Sequence, residues 1–497
     1  MTASLNLAPL SLIKPSAPAS LLGGDEQVIQ AFSEVPASDH DRVYYHLWES
    51  TGKKIFPDYG KHAFHGTSGQ QATQAQKLAA IHLYKIEKEF AQLSKESQGK
   101  LYGHLWKIHG SKPGVPNYGK DAFHGTNGRS STLEERLTAV KLVQAELDSV
   151  RFLGKSERQI QAEFDAITTY SKSIDYEKHT ALSREKGKDR CTYSFPYDKT
   201  VVPLSKGRFI NASYIFSGRQ IHSQFPRKAI TEEHFEMLYE QGVSVAHMLP
   251  QVGYEGRDDA ERSFLYVPDK AGEIHTYGNM VVKCLKKEQI KDCPLILRKI
   301  EFGLKDKPAR VLHHLQTIGW VDNEVPAIET AKKASQLKMK IQEAQPGPSN
   351  LHCMAGVGRT PTQGIIDELY EAVWSGATVD IAAVAKSQRD PETGRTPHQL
   401  NLRQYSFLYE CLEDVRREGA QTQQEIVDCF TSGRDKRALE LFNEAPQSWR
   451  HRVFGAVYKV MGSPSKVPHN YGELAFYDRD GHTIPSAKKA EALLATQ

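Results

Sequence analysis

Apolar residues recur at three- and four-residue steps in QAQKLAAIHLYKIEKEF, TEEHFEMLYEQG, AIETAKKASQLKMKIQEAQ, TPTQGIIDELYEAVWSG and LNLRQYSFLYECLEDVRREG, and that period predicts helices. Shorter runs predict strands: RFINASYIF, SVAHMLP, MVVKCLKK, PLILRKIEFGL and ARVLHHLQTIGW. The two textures are not evenly mixed. Residues 155–420 alternate strand and helix, which predicts an α/β domain with a central mixed, twisted sheet flanked by helices. Residues 25–150 and 421–497 carry only the helical period and read as small all-α modules.

Those flanking segments repeat one pattern. Phe32 to Trp48, Phe90 to Trp106 and Phe442 to Tyr458 are each 16 residues apart, and Tyr59-Gly60, Tyr118-Gly119 and Tyr471-Gly472 follow. Each unit reads as two short helices, a Tyr-Gly loop and a longer helix, with the recurring aromatic residues as its own core. Two units fall in 25–150 and a third in 421–497, on either side of the α/β block. His65 and His124 recur in the AFHG turn, where a metal could be considered. The third copy has Tyr477 there and no Cys or carboxylate cluster accompanies them, so packing or turn hydrogen bonding is expected instead.

Composition narrows the function classes. The 497 residues carry a net charge of only +4, which argues against a dedicated nucleic-acid protein, and no 18-residue apolar stretch predicts a membrane span. Six cysteines are scattered without CxxC or zinc spacing, so a reduced chain is expected. Residues 1–24 are rich in Ala, Ser, Leu and Pro, with Lys14 the only charge before Asp25, and lack the parts of a secretory signal. They read either as a plain disordered terminus or as an unfolded secretion address that would engage a secretion chaperone.

The chemistry concentrates in NLHCMAGVGRTPTQG. An apolar approach leads to Cys353, five residues follow, and Arg359-Thr360 opens a helix. Small residues Ala355, Gly356 and Gly358 let the backbone of Met354, Ala355, Gly356, Val357 and Gly358 turn its N–H groups inward, cradling a dianion with the helix N-terminus. Arg359 offers a planar fork matched to two phosphate oxygens. The same field should depress the Cys353 pKa, giving the thiolate that attacks phosphorus. His352 would order the loop from behind, and the Thr360 hydroxyl would hydrogen-bond the sulfur. A phosphocysteine mechanism also needs an acid on a nearby mobile segment, and HHLQTIGWVDNEVPAIE supplies Asp322, with Trp320 as a hinge anchor and Pro326 stiffening the exit.

With these residues in order, block 155–420 resembles the tyrosine-specific protein phosphatases. KDRCTYSFPYDKTVV with RFINASYI looks like the family's recognition loop and following strand, and HSQFPRKAITEEHFEMLYEQGVSVAHMLP like its run into a core helix and strand. YEGRDDAERSFLYVPD resembles the loop whose Glu pairs with the catalytic Arg, which implies that role for Glu255. WVDNEVP is similar to the acid loop, with Val321 where the family usually has Pro. RQYSFLYECL resembles the closing segment, where a Gln positions the hydrolytic water. Gln404 fits one family Gln by its Gln-Tyr context; the other should fall at Leu400, leaving Gln399 as the nearest candidate. The family's ring-stacking Tyr is replaced by Cys191, so either Tyr193 substitutes or the pocket is shallower.

The resemblance implies a cofactor-free, metal-free hydrolase of phosphotyrosine in proteins. Two other readings stand beside it. One is a phosphatase of inositol phosphates or phosphoinositides, against which Met354 and Ala355 put no positive charge in the loop. The other is a binding protein that grips phosphotyrosine without turnover, although nucleophile, Arg and acid are all retained. The helical units would bind a partner protein. Together with the leader they resemble the arrangement of a bacterial type III effector secreted into a host cell; the alternative is a cytoplasmic enzyme of its own cell.

Overall fold

The computed structural model describes residues 24–50, 58–67, 71–93, 95–108, 118–126, 128–149, 151–180, 194–250, 264–461, 470–482 and 484–496. Two compact units result, 1–150 and 151–497. Residues 1–23, the recognition-loop positions Cys191 and Tyr193, and Glu255 lie outside the described residues.

The first unit runs α1 (Gly24–Ser33), α2 (His40–Ser50), α3 (Tyr59–His65), α4 (Gln74–Gln92), α5 (Lys95–Ile108), α6 (Tyr118–His124) and α7 (Leu133–Ser149). It holds the first two copies of the repeat, and α4 serves both, closing the first and contributing Phe90 to the second. Thr73 and Thr132 start the closing helices with reciprocal side-chain caps to Gln76 and Glu135.

The Tyr-Gly pairs differ from expectation. They are not loops but the first turn of a seven-residue helix, so each copy has four helices. The reason is packing. A Cβ at Gly60, Gly119 or Gly472 would lie 1.9, 1.9 or 2.0 Å from the carbonyl oxygen of Tyr44, Tyr102 or Phe454, so only glycine lets the two backbones approach this closely. The approach seats the ring pairs Phe32–Phe64, Phe90–Phe123 and Phe442–Phe476, with centroids 4.5, 4.7 and 4.4 Å apart. His65 and His124 are held by the hydroxyls of Tyr44 and Tyr102 on the preceding helices, at 2.7 and 2.9 Å, a contact between helices rather than within the turn. The third copy has Phe454 and Tyr477 at these two places, and its rings pack against each other.

The second unit opens with a hairpin, β1 (Arg151–Phe152) and β2 (Lys155–Ser156), and α8 (Glu157–Lys172). There follow β3 (Ala212–Ile215), β4 (Gln220–Gln224), α9 (Thr231–Glu240), β5 (Val245–Met248), β6 (Ile274–Tyr277), β7 (Met280–Gln289), β8 (Leu295–Leu304), β9 (Arg310–Thr317), α10 (Ile328–Ala344), β10 (Ser349–Cys353), α11 (Arg359–Ser375), α12 (Ile381–Ser387) and α13 (Leu402–Thr431). The third repeat copy follows as α14 (Asp435–Glu444), α15 (Gln447–Val460), α16 (Tyr471–Tyr477) and α17 (Ser486–Leu494).

Eight strands form a mixed sheet in the order β3-β4-β10-β5-β9-β8-β7-β6. The four strands β4, β10, β5 and β9 are parallel and the flanking pairs antiparallel. β4, β5 and β10 are buried along their whole length, as strands covered on both faces must be. That placement puts the end of β10 at the carboxyl edge of the parallel strands, where α/β sheets open toward ligands. The expected boundary at 420 falls inside α13, which runs unbroken from the α/β block into the third helical copy. Among the described residues no helix is long and apolar enough to cross a membrane.

Candidate active site

Cys353 is the last residue of β10 and is 3% exposed, packed with Leu249 and Trp320. The loop after it is bound from outside. Met354 O accepts from Phe225 N (3.2 Å), Ala355 O from Ser194 Oγ (3.2 Å), Val357 O from Leu400 N (3.1 Å) and Gly358 O from Thr362 Oγ1 (2.9 Å). With these carbonyls tied outward, the Gly356 and Thr360 amides reach the sulfur, Gly356 N donating to Cys353 Sγ at 3.3 Å. Gly356 sits at φ +76, and a Cβ there would meet Ser223 O at 2.6 Å, so the loop needs glycine twice over.

Burial alone would push the Cys353 thiol up. The Arg359 charge, the Thr360 hydroxyl and amide, and the Gly356 amide outweigh it, so the thiol lies below its usual range. The sulfur is therefore biased toward the nucleophilic thiolate.

Arg359 opens α11 and is 2% exposed. Its Nη1 donates to Trp320 O at 2.9 Å and its Nη2 lies 3.1 Å from Asp322 Oδ1. The Trp320 indole donates to Glu324 O at 2.8 Å, folding the acid loop on itself, while the Asp322 side chain stays 53% exposed. The Cys353 sulfur, the Arg359 guanidinium and the Asp322 carboxylate thus stand together although 31 positions separate Asp322 from Cys353.

Gln404 is buried in the first turn of α13. Its Oε1 accepts from Asn401 N (3.2 Å), its Nε2 reaches Glu324 O (3.4 Å), and a Cβ at Gly358 would touch its amide at 3.4 Å. It thus lies between the phosphate-type loop and the acid loop. Gln399 is buried too, but its Nε2 donates to Gln388 O (2.6 Å) and Thr396 O (3.0 Å), binding it into the 388–396 turn. His352 is fully buried and its Nε2 meets Tyr266 Oη at 2.7 Å, with His314 Nε2 3.2 Å beyond. Ser194, Phe225 and Tyr266 were not singled out from sequence, and Leu400 was named only as the place of a missing Gln; they act from distant segments, through backbone or hydroxyl groups that carry no motif.

A sequence model of the family described as protein-tyrosine phosphatase matches residues 185–414. Human receptor-type tyrosine-protein phosphatase alpha is 25% identical over 274 residues, covering 52% of this chain and 33% of that protein. Tyrosine-protein phosphatase 1 of Caenorhabditis elegans is 27% identical over 257 residues, covering 48% of this chain and 23% of that one. The chain thus spans about a third of the length of the receptor-type alpha relatives and about a fifth of the receptor-type C and eta relatives it matches. A solved structure described as "Structural basis of PTPN18 fingerprint on distinct HER2 tyrosine phosphorylation sites" aligns with a TM-score of 0.47 at 23% identity, covering 52% of this chain and 96% of that one.

Proposed function

The chain carries a domain of the protein-tyrosine phosphatase family, and from that premise we propose that it hydrolyses phosphotyrosine in proteins through a phosphocysteine at Cys353. One observation supports this most: a buried sulfur with a lowered pKa shares a loop with an arginine that also reaches the carboxylate of Asp322. The Cys353 thiolate attacks phosphorus, and the bond to the tyrosine oxygen breaks as Asp322 delivers its proton there. The loop amides and Arg359 hold the equatorial oxygens. Asp322, now ionised, takes a proton from the water that cleaves the phosphocysteine, and the Thr360 hydroxyl stabilises the departing sulfur. Gln404, which touches both loops, is assigned to orient that water in preference to Gln399.

Substrate trapping with Asp322→Ala tests the reading, alongside a panel of phosphotyrosyl peptides and phosphoinositide vesicles. Captured phosphotyrosyl proteins and peptide turnover support it. Turnover of the vesicles alone would move the enzyme to the phosphoinositide class. Burst release of phenol, lost in Cys353→Ser, separates an enzyme from a phosphotyrosine-binding protein.

The finer reading is an effector secreted by a bacterium, acting on host phosphoproteins, with residues 25–150 gripping a host protein. It is supported by the composition of residues 1–24 and by helical copies that carry no convergent polar chemistry. A translocation reporter fused after residue 24, and the cellular location of a chain lacking 25–150, test its two parts. A silent reporter would leave a cytoplasmic enzyme of its own cell.

A further inference from the structure

We infer that the third helical copy, residues 435–496, is a fixed strut for the catalytic loop rather than a portable adaptor, with Trp449 and Arg452 as its positioning residues. The inference rests on the phosphatase reading, and it concerns the helix that the loop opens. At one end of α11 stand Arg359 and Thr360. At the other end stands Trp374, 3% exposed, whose ring meets Trp449 of α15 at 5.8 Å and 74°. Arg452 Nη1 donates to Trp374 O at 3.2 Å and its Nη2 to Thr496 O at 2.7 Å, so the third copy caps the C-terminus of the catalytic helix. Gly376 ends that helix at φ +75, and a Cβ there would lie 2.4 Å from the Arg452 guanidinium carbon; the glycine makes room for the cap.

Two further connections have the same sense. Tyr370, Trp374 and Val415 belong to one continuous core with Phe442, Trp449, Val453 and Phe476. Helix α13 carries Gln404 beside the catalytic loop at its start and Cys429 and Phe430 in the third copy's core at its end. The repeat register shows what is special to this copy. Seven residues after the shared Phe, the first two copies have Asp39 and Ser97, and only the third has Trp449. Ten residues after it all three keep a base, Arg42, Lys100 and Arg452; Arg42 pairs with Glu87 inside its own unit, whereas Arg452 is turned onto α11.

The 17 residues of α11 span about 25 Å at 1.5 Å per residue, beyond the roughly 8–10 Å screening length, so the Arg452 charge does not act on the sulfur directly. The coupling is mechanical. A helix gripped at its far end cannot tilt, and its first amides and Arg359 keep their aim at Cys353.

The full-length protein is the sample. Trp449→Ser, which installs the second copy's residue, and Arg452→Ala are compared with Asp39→Ala and Ser97→Ala at a temperature where circular dichroism shows all folded. Expected for the first pair is a roughly 10-fold fall in kcat on p-nitrophenyl phosphate, since small misplacements of reacting groups are costly. The midpoint of Cys353 alkylation by iodoacetamide should also rise by about half a pH unit as the amides lose their aim. Arg452→Lys should restore most of both, and the second pair should match the parent. Folded variants with parental kcat and alkylation midpoint would overturn the strut. Should Trp449→Ser not fold, Trp449→Phe and Arg452→Ala decide by the same readouts. Turnover persisting in Cys353→Ser would overturn the phosphatase reading instead, because the alkylation midpoint needs no substrate.

Discussion

Helix α11 has two acids beside it, buried Cys353 and half-buried Glu368, and the molecule drives them in opposite directions. Cys353 lies one loop before its first residue, and Glu368 lies in its third turn, lining a cavity of ≈ 480 Å³ beside the third helical copy. Burial raises both. At Cys353 the Arg359 charge, the Thr360 groups and the Gly356 amide reverse it, and the thiol ends lowered. At Glu368 burial wins, with Asp367 adding to it, and the carboxyl is pushed up to about 7 although Arg219 and Gln220 reach it. The Arg219 side chain is 66% exposed, so water screens what it offers, whereas Arg359 is 2% exposed. Burial sets the cost of a charge, and the aim and dryness of its partners set the outcome.

The largest test of that contrast removes the sulfur. Cys353→Ser should lower kcat on p-nitrophenyl phosphate by roughly 10⁵-fold or more, since an alcohol in the same cradle is not ionised. Its melting temperature should stay close to the parent's. Arg359→Lys comes next, at about 10³-fold, because a point charge cannot hold two oxygens at once. Here the pH dependence separates charge from geometry. A thiol whose folded pKa lies below its unfolded value stabilises the fold above the unfolded value, and this fades as pH falls through the folded one. The alkylation midpoint should therefore stay near the parent's if charge alone matters, and rise if the fork's placement matters. A rise is expected. Gly356→Ala, which must leave φ +76 or strike Ser223 O, should cost about 10²-fold in kcat and raise the same midpoint. An unchanged midpoint in both variants would show that amide aim contributes little.

How far sequence reached follows the same division between local and distant partners. The loop was legible because His352 to Thr360 are contiguous and each residue type has one role in holding an anion. Asp322 became a candidate through its resemblance to a known acid loop, and the structure sets it beside Arg359. The groups that turn the amides inward, Ser194, Phe225 and Leu400, were not, because they act through one hydroxyl and two backbone N–H groups. Two elements were misjudged for one reason. The domain boundary was expected at 420, just after Gly419, and Gly60, Gly119 and Gly472 read as turns, since glycine commonly marks both. Yet α13 continues past Gly419, whose absent side chain would meet Trp374 only at an ordinary 4.0 Å, and the Tyr-Gly glycines serve close backbone packing inside helices. Periodicity located these helices but could not tell a glycine that ends one from a glycine that lets two touch.

The smallest effect probes the other acid. Glu368 has a folded pKa raised from the ordinary carboxylate range to about 7, so it binds a proton more tightly folded than unfolded. Its contribution is fully present below the unfolded value and is lost as pH rises from about 4.5 through about 7. At roughly 1.4 kcal/mol per pKa unit, this is a loss of about 3 kcal/mol at most, confined to the unit 151–497. Glu368→Gln keeps the shape and leaves one amide oxygen to accept from Gln220 or from Arg219, while carrying no charge to bury. Thermal melts at pH 5 and pH 8 should show the parent's second unit falling by several degrees more than the variant's over that interval, with kcat little changed. Equal falls would mean that Arg219 compensates the carboxylate fully, and the partners of Cys353 and Glu368 would then differ in exposure alone.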